Sequence, residues 1–149
     1  CLSGSVWIRV WSYKIIGKYI KELNFNIPNT KTFYLLSKDI VNYKINIDIK
    51  SNRVKQNIIE VLISLNLSPT KSDFEVINTK IIFATIIELQ NDKIKKDQLE
   101  KIILVEVPSE IYGELRKIFV SLFENSGFKD VKISENVDFL SLYNMRKTQ

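Results

Sequence analysis

The chain has 149 residues, 45% hydrophobic and 26% charged, the balance of a globular domain rather than a disordered one. It holds no histidine and one cysteine, Cys1, which excludes a Ser-His-Asp triad, a Cys-His pair, a thiolate–imidazole zinc site and an internal disulfide. The net charge of +5 is uneven, with eleven Lys+Arg against four Asp+Glu in residues 1–72 and eleven against thirteen in residues 73–149. A basic first half points to a surface that faces a polyanion, with a solvated lysine-rich face as the alternative.

Along the chain, residues 13–24 set Ile16, Tyr19, Ile20 and Leu23 at helical spacing opposite Lys14, Lys18 and Lys21, which predicts an amphipathic helix ending before Pro28. Lys31 to Leu36 reads as a short strand. Val41 to Lys50 alternates apolar and polar residues and predicts a half-buried strand. Ser51 or Asn52 is a suitable cap for a helix to Leu65, with Val54, Ile58, Val61, Leu62 and Leu65 as its buried stripe and Ser68-Pro69 as its breaker.

Phe74–Ile77 and Lys80–Leu89 read as strands, the second central in a sheet because its apolar run is nearly continuous. That run, Ile81 to Leu89, is about half of the ~20 residues needed to span a membrane. Asn91–Lys96 is a polar connector and Lys101–Val107 another strand. Pro108-Ser109 then opens a helix with Ser109 as N-cap, Ile111, Leu115, Ile118, Phe119 and Leu122 toward the core, and Ser126-Gly127 as its stop. Glu110, Glu114, Arg116, Lys117 and Glu124 fall on its outer face and read as surface charges. Lys129–Ile133 is a last short strand.

The expected fold is therefore one α+β domain over residues 1–149: a single layer of mostly antiparallel sheet with about three helices packed on it, in the order α-β-β-α-β-β-β-α-β. Residues 1–11 and 136–149 are expected to be peripheral.

Chemistry has few places to sit. Four glycines, at 4, 17, 113 and 127, allow neither GxGxxG nor a P-loop, so no nucleotide cofactor is expected. Trp7, Arg9, Trp11, Tyr13, Lys14, Lys18 and Tyr19 interleave aromatics with cations, a pattern that stacks bases and tracks phosphates, forms a protein–protein hot spot, or buries its tryptophans as core. Glu88, inside an apolar strand, is a candidate acid or base if buried. Asp39, followed by a strand carrying Asp48 and Lys50 on its polar face, resembles the core of the PD-(D/E)xK nucleases. That resemblance covers residues 13–66 and implies that Asp39 and Asp48 hold Mg²⁺ while Lys50 positions the attacking water. Lys38 stands where that family commonly has proline, and only eight residues separate Asp39 from Asp48.

The leading expectation is a non-catalytic accessory or adaptor subunit of a cytoplasmic nucleic-acid-handling complex. It would bind nucleic acid, a protein partner or both through Trp7, Arg9, Trp11, Lys14 and Lys18, without metal or cofactor. One alternative is the Mg²⁺-dependent nuclease using Asp39, Asp48 and Lys50. A second is a periplasmic lipoprotein serving assembly, with Cys1 as the acylated end and Ser3, Gly4 and Ser5 as its tether.

Overall fold

The computed structural model describes residues 12–38, 43–69, 77–91, 93–129, 131 and 133–147. In chain order the elements are β1 (Tyr13–Asn26), α1 (Thr30–Lys38), β2 (Tyr43–Lys55), β3 (Ile58–Pro69) and β4 (Asn78–Leu89). They are followed by α2 (Lys96–Lys101), a π-helical turn (Ile102–Glu106), α3 (Val107–Asn125) and α4 (Phe139–Lys147). The strands form one antiparallel sheet in the order β1-β4-β3-β2. The expected class, an α+β fold with an antiparallel sheet and helices against it, is the observed one, but several segments carry the other type of structure.

β3 alternates without interruption: Ile59, Val61, Ile63, Leu65 and Leu67 are buried, and the residues between them half-buried. Ile81, Phe83 and Ile87 of β4 lie on the same face, which α3 covers with Ile111, Leu115, Phe119 and Phe123. A helix was expected over 52–65, where the structure has a hairpin that turns at Gln56-Asn57. The guanidinium of Arg53 donates to the Gln56 carbonyl, and the Asn57 carbonyl accepts from the amide of Leu89 at 2.7 Å, tying the turn to the end of β4. Val54, expected to be buried, is exposed.

The helix expected at 13–24 is also a strand. β1 carries two bulges, between Ile15 and Gly17 and between Ile20 and Glu22. Tyr13, Ile15, Lys18, Ile20, Leu23 and Phe25 therefore oppose the β4 residues whose side chains share the helix-covered face. Steps of two and three along the chain imitate helical periodicity, since each bulge inserts one residue. The stripe expected to be buried is the exposed one: Ile16, Tyr19, Ile20 and Leu23 are each more than 40% accessible.

Lys31–Leu36, expected as a strand, lies in α1. The Asn29 side chain accepts from the amide of Thr32 at 2.8 Å, an N-cap bond that overrides the β propensity of Thr32, Phe33 and Tyr34. Lys101–Val107 continues the helical run, because Val107 donates back to the Ile102 carbonyl in a five-residue π step. Pro108 is accepted at the start of α3, where its missing N–H costs least. Ser109 thus lies within the helix rather than at its cap. The described residues of 129–133 form no strand.

The end of α3 matches the expected stop. Gly127 at φ 102° completes a Schellman motif, with Phe128 donating to the Phe123 carbonyl and Gly127 to that of Glu124. Phe33, Phe123 and Phe128 pack there, joined by Phe25 and Phe119 at centroid distances of 4.7–5.4 Å.

Two stability predictions follow from these positions. A Cβ at Gly127 meets the Phe33 ring at an ordinary 3.5 Å, so the cost of Gly127→Ala is backbone strain, about 1–2 kcal/mol in urea denaturation. The hydroxyl of Thr85 is fully buried without a hydrogen-bond partner. Thr85→Val, which keeps the shape and removes the orphan hydroxyl, is expected to raise stability by about 1 kcal/mol at an unchanged denaturant slope.

Candidate functional site

Helix α4 begins where Asp138 accepts from the amide of Ser141 at 2.9 Å. The segment leading to it is fastened to α3 by Tyr112, whose hydroxyl donates to the Ser134 carbonyl at 2.7 Å, and by Arg116, which donates to that of Ile133 at 2.9 Å. Burial raises the Tyr112 pKa, which keeps its hydroxyl protonated and available as the donor. Phe139 and Tyr143 anchor α4 in the core, and Phe139 meets the Tyr112 ring edge-on at 5.9 Å.

The anchoring leaves a gap between α4 and the end strand of the sheet. A cavity of about 230 Å³ opens there, lined by Ile47, Asp48 and Ile49 of β2, Leu104 of the π turn, and Phe139, Leu142, Tyr143 and Arg146 of α4. A second cavity of about 370 Å³ shares Ile49, Leu104, Tyr143 and Arg146 with it and adds Glu100 of α2. Together they form a groove with an apolar floor and a charged rim of Asp48, Glu100 and Arg146. Leu142, on its wall, is half exposed. An apolar hollow with a few polar groups at its edge is a binding site, and its lining offers no nucleophile–base pair.

The residues singled out from the sequence are not gathered into one site. Trp7, Arg9, Trp11 and Asp39 lie outside the described residues. Lys14 stands opposite Glu88 across β1 and β4, on the face of the sheet turned away from α3. Lys18 reaches over the helix-covered face to Glu114 of α3 at 3.0 Å. Asp48 and Lys50 share the outer face of β2, opposite Ser64 and Leu62. Of these residues only Asp48 borders the groove. Of the apolar residues that line it, Ile47 and Ile49 were expected on the apolar face of a strand, Leu104 within another strand, and Phe139, Leu142 and Tyr143 in a peripheral segment, and no local signal marks them as a site.

A polar cluster lies on the outer face. The Tyr19 hydroxyl donates to Glu60, and Lys21 stands 3.6 Å from the same carboxylate. The tyrosine hydrogen bond, with Lys21 beside it, lowers the Glu60 pKa below the ordinary glutamate value. On the other face, burial and then the hydrogen bond to Glu110 at 3.0 Å raise the Tyr13 pKa.

Comparison with known proteins decides among the functional expectations. The family model described as preprotein translocase subunit SecB matches residues 10–149. The chain belongs to the SecB family. A protein-export SecB protein of Pelagibacter ubique is 37% identical over 135 residues, 91% of this chain and 96% of its own length. The protein-export protein SecB of Parvibaculum lavamentivorans is 23% identical over 136 residues, 91% of this chain and 79% of its own length. Among solved structures, the Mycobacterium tuberculosis SecB-like chaperone in complex with a ChAD peptide from an antitoxin superposes with a TM-score of 0.61. It is 10% identical, over 83% of this chain and 90% of that one, and it supports the fold.

SecB membership overturns the accessory subunit of a nucleic-acid complex, the Mg²⁺ nuclease and the acylated lipoprotein alike. It keeps one part of the first expectation, a protein partner. The structure shows why the basic half misled: Lys18 meets Glu114 from the acidic half, and Lys14 faces Glu88 from it. Folding intermixes the charges that the chain keeps apart. Among the described residues no helix is long and apolar enough to cross a membrane.

The Glu60 cluster gives a pH prediction. Because folding lowers its proton affinity, the carboxylate contributes stability above the ordinary glutamate range and loses that contribution as pH falls through its folded-state value. Glu60→Gln is expected to be less stable than the wild type at pH 7, by under about 1 kcal/mol. The gap should narrow as pH falls below the ordinary glutamate range in parallel urea titrations.

Proposed function

We propose that this chain is a cytoplasmic export chaperone that holds unfolded segments of preproteins in the groove between β2 and α4. The observation that carries the reading is the groove itself, an open apolar hollow in a SecB-family chain. A folded client hides its apolar side chains, whereas an unfolded one offers them. Ile47, Ile49, Leu104, Phe139, Leu142 and Tyr143 supply matching surface, and burying one large apolar side chain there contributes roughly 1.5–3 kcal/mol. Several such contacts along an extended segment give useful affinity without a fixed sequence. The rim charges remain in water, where they contribute little affinity.

The chemistry needed is therefore shape and desolvation. A second apolar surface, the exposed Ile20 and Leu23 of β1, fits the protein–protein character of the family. The partner we assign to the groove is polypeptide.

The test is capture of a fluorescein-labelled unfolded preprotein, followed by anisotropy beside a folded control. Wild type is expected to bind the unfolded form and to ignore the folded one. Leu142→Asp places a charge on the groove wall at an exposed position that the fold does not need, and is expected to weaken capture about tenfold or more. Equal binding by wild type and Leu142→Asp would place the client elsewhere on the molecule.

A further inference from the structure

Residues 50–57, which close the hairpin between β2 and β3, hold Lys50, Arg53 and Lys55 and no acid. Residues 90–97, between β4 and the first turn of α2, add Lys93, Lys95 and Lys96 against Asp92 and Asp97. Two contacts hold the second segment to the first. At its start the Leu89 amide donates to the Asn57 carbonyl, and just beyond its end Glu100 borders the same cavity as Ile49. One end of the sheet therefore carries six cations from two segments, all of them exposed. The ion pairs among the described residues, Lys18–Glu114, Lys21–Glu60 and Lys80–Glu22, use none of the six. Acids on the adjoining rows are matched by other groups: Tyr19 and Lys21 meet Glu60, and Lys14 stands opposite Glu88.

Val54 stands among these cations. The strand register shifts between Arg53 and Lys55, so Val54 is the extra residue of a bulge, and it is 59% accessible. An apolar side chain collared by cations has the chemistry of a peripheral membrane anchor: phosphate headgroups meet the cations while the apolar group enters the acyl boundary.

We infer that this end of the sheet docks on an anionic lipid surface, with the six cations at the headgroups and Val54 beneath them. Each cation held near such a surface strengthens binding about fivefold, so a flat group of six holds the chain there reversibly without a pocket. An acidic polypeptide would satisfy the same cations, but it offers Val54 no apolar medium to enter. The docking end is separate from the client groove, since none of the six cations lines the two cavities that form it.

The experiment is co-sedimentation of the full chain with vesicles of phosphatidylcholine alone or with about one third phosphatidylglycerol, at about 0.1 M and about 0.5 M salt. Wild type is expected to bind the anionic vesicles about tenfold or more tighter than the neutral ones at the lower salt, and to leave them at the higher. Lys55→Glu combined with Lys93→Glu is expected to weaken binding about tenfold or more, and Val54→Ser about threefold. Lys31→Glu with Lys117→Glu makes the same change of net charge on α1 and α3, and is expected to stay within about twofold of wild type. Equal loss in the two charge-reversed variants overturns the inference, because net charge alone would then draw the chain to the vesicle. Binding indifferent to lipid charge, or no binding at the lower salt, overturns it as well. Val54→Ser binding as tightly as wild type overturns the lipid assignment in favour of a soluble polyanion such as an acidic polypeptide. Capture of unfolded preprotein by every variant is expected to match wild type, so failure on vesicles leaves the chaperone reading standing, and failure of capture leaves the docking standing.

Discussion

One face of the sheet has to be kept dry, and the rest of the molecule is arranged around that requirement. Val61, Ile63 and Leu65 of β3 and Ile81 and Ile87 of β4 are fully buried, and nothing in the strands themselves can cover them. Helix α3 does so with Ile111, Leu115, Phe119 and Phe123, and its position is fixed at one end by the aromatic cluster and the Gly127 turn. The apolar face is wide because four strands share it, whereas the stripe of a single helix is narrow. At the β1 margin Ile20 and Leu23 therefore stay accessible, and at the β2 margin Ile45, Ile47 and Ile49 are only partly covered. Incomplete cover is the physical origin of the groove.

The C-terminal segment narrows that margin without sealing it. α4 is held by two aromatic anchors one turn apart, Phe139 and Tyr143, while Leu140, Leu142 and Met145 stay more than 40% accessible. A helix with more apolar residues on the inward side would close on β2 and fill the hollow. The π turn contributes from the opposite wall. It carries Ile102 and Val105 into the core and leaves Leu104 at the cavity. The groove is thus assembled from β2, the contiguous α2 and π turn, and α4, three stretches that lie far apart in the chain.

Legibility from the sequence follows the same division. β4, the alternating part of β2, the α3 helix and its Gly127 stop could be read because each obeys one periodicity or one cap rule locally. β1 could not, because its two bulges at Ile15/Gly17 and Ile20/Glu22 turn a period of two into steps that resemble a helix. The hairpin of β2 and β3 was hidden by its turn: Gln56-Asn57 is not among the glycine pairs that announce a tight hairpin. The strand proposed at Lys31–Leu36 failed by weighing Phe33 and Tyr34 above the Asn29 cap. The site was illegible for a different reason. Phe139, Tyr143, Leu104 and Ile47 are indistinguishable from core residues in a linear chain, and only the shortage of cover makes some of them a surface.

The lack of histidine and the single cysteine, first read as a poverty of chemistry, are no handicap to a protein that binds polypeptide. A protein that holds many different unfolded segments gains nothing from a reactive group aimed at one bond, and a rigid array of polar contacts would select one sequence over the rest. What serves every client is what every polypeptide has, a backbone and some apolar side chains.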